Sequence, residues 1–455
     1  MTDKGIKFHS TNYKSPEVNF KTAILQGQAL DKGLYALNKI PKVKRDEIYS
    51  FKELKFNEIG FVVISKILGN LIPEKDLRKI VNNALNFNVP IEKINDIDYI
   101  CYLDRGPTAS FKDFGARTLA FLMEYFLKQE GKKKVILTAT SGDTGGAVAQ
   151  AFYEMSNIKV VVLYPKKEIS DLQRKQMTTL GKNVTAIGIN GKFDDCQRFV
   201  KSTFADSDLR KIEFSSANSI NFGRLLPQTL YYFWSYSRVA EKKGEKVIYS
   251  VPSGNFGNLM GGLIANRMGL PVQRFISAVN ENDEFPRYLD TGKYEKVEPS
   301  KNCISNAMNV GHPSNLARLI DLYGGQIDET GIVYKEPKLN QIRKEIVSYS
   351  ISDDLTKKTI ARFYSKYNKI IEPHGAVGWA ALEIYRESHP KDNKFKAINL
   401  ETADPAKFPD EIISLINIEP KLPPSISIIQ NKKEYPNPVE INEYQDFKTF
   451  LMKNF

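Results

Sequence analysis

Short apolar runs alternate with amphipathic stretches through the middle of the chain, and that alternation predicts parallel sheets crossed by helices. Val135-Ile-Leu137 reads as a strand, followed by a Ser-Gly-Asp turn and a helical pattern from Ala147 to Met155. Val160-Val-Val-Leu-Tyr164 is a second strand, closed by Pro165, with a helix predicted over Asp171 to Leu180. Val184 to Ile189 and the helical stretch Asp194 to Phe204 repeat the unit. A long helix is predicted from about Ser219 to Lys242. The alternation restarts at Val247-Ile-Tyr-Ser-Val251, with a Gly-Asn turn, a helix to about Met268 and a strand over Val272 to Val279. Leu355 to Lys366 and Ala376 to Tyr385 read as helices, and Ala397-Ile-Asn-Leu400 as a late strand. The proline-rich tail after Glu419 predicts an irregular wrap ending in a short helix.

The fold class so predicted is α/β, with two lobes of mainly parallel sheet flanked by helices. A chain of 455 residues exceeds one simple core. The expected division is an N-terminal region, 1–105, packed on the large lobe; a small lobe, 106–240; and a large lobe with the C-terminal wrap, 241–455.

Composition changes this picture little. At 42% hydrophobic and 26% charged residues, the chain has the make-up of an ordinary globular protein. The longest apolar window, Ile59 to Ile72, is interrupted by Lys66 and too short to span a bilayer, so a buried helix is expected and no membrane partner. No signal peptide is visible at Met1-Thr-Asp-Lys-Gly-Ile. Cys101, Cys196 and Cys303 are scattered and odd in number, which predicts no disulfide framework, no zinc site and a reducing, cytoplasmic setting. The net charge of +12 raises a nucleic-acid reading. Lys and Arg are spread among acidic residues, however, so a solvated basic surface that helps capture a phosphorylated substrate is expected instead.

Five segments carry candidate chemistry. In Arg105-Gly-Pro-Thr-Ala-Ser-Phe-Lys-Asp-Phe-Gly115, Lys112 lies beside an aspartate and between aromatic residues. A lysine held in such an apolar setting loses its proton more readily and becomes nucleophilic toward an aldehyde, whereas a lone lysine is ordinarily a surface charge. Ser141-Gly-Asp-Thr-Gly-Gly146 and Ser253-Gly-Asn-Phe-Gly-Asn258 each follow a strand and open a helix. Small residues there admit a ligand and free N–H groups favour an anion, although a plain capped turn needs the same residues. The Ser253–Asn258 segment is neither a Walker loop nor a dinucleotide fingerprint, so a phosphate outside a nucleotide fits better. Asn218-Ser-Ile-Asn-Phe-Gly-Arg224 offers Arg224 for a bidentate grip on an anion, or simply a capped helix. Leu400-Glu-Thr-Ala-Asp-Pro-Ala-Lys-Phe-Pro409 leaves the C-terminal end of a predicted strand, where open α/β sheets bind ligands. His312 and His374 have no partners at metal spacing and read as structural.

In order and spacing these segments resemble the threonine synthases, and most closely their larger bacterial and fungal type. The likeness runs from Tyr13–Tyr35 through the Phe-Lys-Asp, Ser-Gly-Asp-Thr-Gly, Asn-Ser-Ile-Asn and Ser-Gly-Asn-Phe-Gly-Asn motifs. It continues through Val310-Gly-His-Pro-Ser-Asn315, Glu372-Pro-His-Gly-Ala-Val-Gly-Trp379 and the Thr-Ala-Asp-Pro-Ala-Lys-Phe segment. One departure is Arg105, where that type has a histidine before the Gly-Pro-Thr turn.

The resemblance implies a tryptophan-synthase-beta-like fold, that of pyridoxal-phosphate (PLP) enzymes of fold type II. Lys112 would be the catalytic residue and the cofactor's Schiff-base partner, with Gly254, Asn255, Phe256, Gly257 and Asn258 around the cofactor phosphate and Thr402 facing the pyridine nitrogen. Ser141, Asp143, Thr144, Asn218, Ser219, Asn221 and Arg224 would line the substrate side. The implied reaction converts O-phospho-L-homoserine and water to L-threonine and phosphate, in a monomer or homodimer without nucleic acid. The rival within the resemblance is a phospholyase releasing a 2-keto acid and ammonia.

Overall fold

The computed structural model describes residues 5–140 and 142–455. Ser141 lies outside the described residues.

Two sheets organise the chain. The larger has six strands in the order Ile346–Ser350, Val272–Val279, Val247–Pro252, Ala397–Glu401, Asp98–Tyr102 and Ile91–Lys93. All neighbours are parallel except the last pair. The smaller has four parallel strands, Val184–Ile189, Ile158–Pro165, Lys134–Ala139 and Phe214–Ser215. Strands covered on both faces read as nearly unbroken apolar runs, and Val247–Pro252 is buried throughout. That is why the run pattern located these strands to within a residue or two.

Ile91–Lys93 and Asp98–Tyr102 pair inside the six-stranded sheet, so part of the N-terminal region is built into the large lobe. Ahead of them Phe8–Ser10 and Tyr35–Leu37 form a small antiparallel pair, Phe56–Leu68 buries Ile59, Val63, Ile64 and Ile67 along one face, and Glu74–Ala84 packs beside it. Among the described residues no helix is long and apolar enough to cross a membrane.

Two elements differ from expectation. The long helix predicted over Ser219 to Lys242 is broken into Phe222–Leu225, a 3-10 turn over Leu226–Thr229, and Leu230–Val239. Pro227 has no N–H for the ladder, and its ring does not tolerate a regular helix preceding it. The C-terminal tail holds two helices, Pro424–Gln430 and Tyr444–Asn454. It lies over the four-stranded lobe: Ile441, Phe447 and Leu451 share an apolar cluster with Leu137, Val161 and Phe199. Arg174 pairs with Glu434 at 2.9 Å, and the Tyr435 N–H donates to the Thr178 carbonyl.

The sheet order positions the site. Val247–Pro252, Ala397–Glu401 and Asp98–Tyr102 are parallel neighbours, so the chain leaves all three at the same edge. From that edge come the Gly254 turn, Thr402 and the segment leading to Lys112, at the place where open α/β sheets collect ligands.

Candidate active site

Lys112 is the first residue of the helix Lys112–Glu130. The strand-end segments hold it there: the Phe111 N–H donates to the Thr402 carbonyl at 2.9 Å, and Ser110 bridges to Ala403. Its side chain is only 14% exposed. Burial lowers its pKa first; Asp143, 4.0 Å away, raises it, and the cations Lys407 and Arg224 lower it again. The net direction is downward, toward the neutral amine that attacks an aldehyde. Of the flanking aromatics, Phe111 lies against the ammonium, 5.3 Å from ring centre to Nζ. Phe114 points into the core against Phe56, Phe87 and Tyr231. Asp113 faces away too, accepting from Thr108 N–H and Oγ1 at 2.8 Å each, which fixes the Gly-Pro-Thr turn.

The Gly254–Asn258 turn runs into the helix Gly257–Met268. Phe256 takes the left-handed conformation at φ 59°, rare for a residue with a side chain, and its ring packs edge-on against Phe285. Asn255 is spent on the wall: its amide donates to Ser219 Oγ at 2.5 Å and accepts the Ser314 N–H at 2.5 Å. Asn258 Oδ1 accepts from Tyr231 and Tyr232 hydroxyls at 2.7 and 2.8 Å, which fixes the amide's orientation. Its Nδ2 is buried with no partner among the described residues. A buried donor without an acceptor is costly, and here it stands at a helix start whose own N–H groups favour an anion. An acceptor-rich phosphate answers both, so these residues fit the phosphate of PLP.

Thr402 is buried and its hydroxyl donates to Glu372 Oε1 at 3.2 Å. Glu372 caps the helix Pro373–Ser388 by accepting from the His374 and Gly375 N–H groups, and it also accepts from His374 Nδ1 at 2.5 Å. Thr402 thus offers a neutral hydroxyl, backed by a carboxylate.

The substrate-side residues divide. Asp143 opens the helix Asp143–Phe152 after Gly142, whose φ of 142° suits glycine alone. Burial pushes the Asp143 carboxyl up, but Lys407 and Lys112 outweigh it and hold it well below the usual range. Thr144 follows, half-buried. Asn218 accepts from Thr138 Oγ1 at 2.7 Å, and Ser219 bonds the Asn255 amide of the turn, joining the two motifs. Asn221 is fully buried: it caps Gly223 and donates to the Ile24 and Ser216 carbonyls. Arg224 donates to the Ala217 carbonyl at 2.6 Å, while its Nε is buried without a partner among the described residues. Burial lowers its pKa to about 10. Arg105, the departure from the family motif, pairs with Asp404 at 3.1 Å and Asp104 at 3.4 Å.

Sequence reasoning passed over Lys407, Glu372 and Glu401. Lys407 sits in the quoted Ala-Lys-Phe segment, but only the fold carries it to Asp143, at 3.0 Å. Glu372 opens the Glu-Pro-His-Gly motif as an N-cap, and only strand pairing brings Thr402 to it.

A desolvated lysine and a glycine turn with an unpartnered buried donor, both reached from the same edge of a mainly parallel sheet, are the features of a PLP-dependent enzyme of fold type II. The family model described as "Pyridoxal-phosphate dependent enzyme" matches residues 89–397. Those described as "Threonine synthase N terminus" and "Threonine synthase, C-terminal" match residues 7–85 and 375–451. The chain belongs to the threonine synthase family. It is 37% identical to a threonine synthase of Haemophilus influenzae, over 97% of this chain and 99% of that one. The crystal structure of PLP bound threonine synthase from Brucella melitensis superposes with a TM-score of 0.92 at 32% identity, covering 99% of both chains. That of the yeast threonine synthase gives 0.91 at 29% identity, covering 98% of both.

Proposed function

We infer that the chain converts O-phospho-L-homoserine and water to L-threonine and phosphate, the last step of threonine synthesis. The observation that carries this is the setting of Lys112, desolvated and 4.0 Å from Asp143, in a chain matched along its length by threonine synthases. PLP, when bound, supplies an electron sink for the charge left as protons leave the substrate carbons. Gly254 to Asn258 would hold its phosphate, with Asn258 Nδ2 as a ready donor, and Thr402 would face its ring nitrogen.

Lys112 Nζ moves the protons: it takes one from substrate Cα and returns one at the end. Arg224, with Asn218, Ser219 and Thr144, grips the substrate's phosphate, and the unpartnered Arg224 Nε finds its acceptor there. Loss of a proton from Cβ lets that phosphate leave with the electrons of the Cγ–O bond, Cγ takes up a proton to become the methyl group, and water then adds at Cβ. Asp143 of one lobe and Lys407 of the other close the site between them, excluding water until elimination is complete. We take the small lobe as 106–240, which encloses the four-stranded sheet, and the large lobe as 241–455 with the strands of the N-terminal region. The free, buried Cys101, Cys196 and Cys303 support a reducing cytoplasm.

Product analysis decides between this reaction and the phospholyase. L-Threonine and phosphate in equal amounts are expected from O-phospho-L-homoserine. Release of 2-oxobutyrate and ammonia without threonine would overturn the reading.

A further inference from the structure

One carboxylate in the site serves two ammonium groups. Lys407 Nζ donates to Asp143 Oδ1 at 3.0 Å, while Asp143 Oδ2 stays 4.0 Å from Lys112 Nζ, beyond hydrogen-bond reach. The Lys407 side chain is 1% exposed and that of Asp143 6%. A buried ion pair is destabilised by desolvation unless its geometry is good, and Gln173 Nε2 adds a second donor to Oδ1 at 3.3 Å. Lys407 comes from the turn Pro405–Lys407 beyond the central strand of the large sheet, and Asp143 from the helix that follows the small sheet's Lys134–Ala139. The pair therefore spans the two lobes.

The consequence falls on Lys112. The charged groups facing it are Asp143 from the helix Asp143–Phe152, Lys407 from its turn, Arg224 from Phe222–Leu225 and Glu372 at the head of Pro373–Ser388. Arg224 acts in the same sense as Lys407. Glu372 acts in the opposite sense, but its two oxygens already accept four bonds, from the His374 and Gly375 N–H groups, His374 Nδ1 and Thr402. Asp143 is thus the carboxylate able to capture Lys112, and Lys407 is what keeps it engaged elsewhere.

We propose that Lys407 is a positioning residue: it holds Asp143 so that the Lys112 amine is left free to engage an aldehyde and to carry protons. The proposal rests on the reading of Lys112 as the cofactor-binding lysine. It gives Lys407 a role distinct from gripping substrate, because the effect is present before substrate arrives.

The test is the pH dependence of PLP binding without substrate, read from the long-wavelength absorbance of cofactor joined to Lys112. In K407M the midpoint of that dependence moves alkaline by about one pH unit or more, since an unengaged carboxylate now holds Lys112 as the ammonium. K407R keeps the wild-type midpoint, and adding D143N to K407M returns the midpoint toward it. The acid limb of kcat/KM follows the same order. A K407M midpoint equal to wild type, whatever its rate, overturns the proposal. If K407M does not fold, D143N alone decides: its midpoint moves to lower pH, and an unchanged midpoint overturns the proposal equally. These midpoints need no turnover, so a chain that made 2-oxobutyrate would still show them. A chain with no such absorbance at any pH would instead remove the reading of Lys112 itself.

Discussion

Thr402 donates its one hydroxyl proton to Glu372, Oγ1 to Oε1 at 3.2 Å, and the two residues are brought together from a strand end and a helix cap. Two oxygens at that distance need a proton between them, and the Thr402 hydroxyl supplies it. The neighbouring Glu401 accepts the Glu372 N–H at 2.7 Å. Burial, then the charge of Glu372, pushes the Glu401 carboxyl well above the usual range. A ring nitrogen set against Thr402 meets a hydroxyl that is oriented from behind. Thr402→Val keeps the shape and removes that group. PLP affinity is expected to fall about tenfold, the worth of one net hydrogen bond at such a site, in an absorbance titration. Unchanged affinity would place the ring nitrogen elsewhere.

Lys112→Ala leaves the fold intact, because the side chain makes no hydrogen bond that organises its helix; the helix entry is fixed by Phe111, Ser110 and Asp113. The variant is expected to lose the long-wavelength cofactor absorbance and about 10³-fold or more in kcat. A thermal midpoint close to wild type checks that the loss is chemical. Retained absorbance would show that another amine holds the cofactor.

Gly254 passes close under another loop. A methyl group there meets Met308 Cα at 2.8 Å and the Ala307 carbonyl at 3.0 Å, both backbone atoms that cannot swing aside. Gly254→Ala is therefore expected to push the turn out of place, costing about 1–3 kcal/mol of stability. It should weaken PLP binding more than substrate binding at saturating cofactor. Equilibrium dialysis of the cofactor, set beside KM measured with excess PLP, separates the two.

How much of this was legible in the sequence follows from what each residue depends on. Val247–Pro252 announced itself because a strand buried throughout is apolar at nearly every position, and Val184–Ile189, half-buried at Thr185 and Ala186, kept enough of such a run to show. Lys112 stood out because its neighbours are local: Phe111 is next in the chain, and the Gly-Pro-Thr turn lies only a few residues away. Lys407 did not, since its partner is 264 residues distant and only the juxtaposition of two sheets joins them. The break at Pro227 was readable in principle, but the apolar pattern on both sides of it continued in helical phase and masked it. Asn221 and Asn218 look equivalent in the motif. Burial separates them: Asn221 has its whole amide engaged inside the protein, which spacing alone does not reveal.

The last expectation concerns stability against pH, and its sign comes from two buried carboxyls. Glu284 is 1% exposed, one of its oxygens is without a partner among the described residues, and burial with the nearby Asp283 pushes it up to about 8 from 4.5. Asp104, neither of whose oxygens has a hydrogen-bond partner among the described residues, is pushed up to about 7 from 3.8 by burial, the Arg105 ion pair offsetting part of the rise and Asp404 adding to it. For each, the unfolded chain releases the proton at lower pH than the folded one. Between the two values the folded state binds more protons, so stability falls as pH rises, and the fall ends above the folded value. The thermal midpoint of the wild type is expected to decline from about pH 5 to about pH 8. Glu284→Gln removes a titrating group whose ionised form is costly in the fold, so its decline is shallower. At pH 8 the variant should gain on the order of 1–3 kcal/mol relative to its own difference from wild type at pH 5. Asp143 does not confuse the comparison: its carboxyl is held low, so its contribution changes only in acid, below this window. Parallel curves for Glu284→Gln and wild type across pH 5 to 8 would show that Glu284 finds a partner in solution.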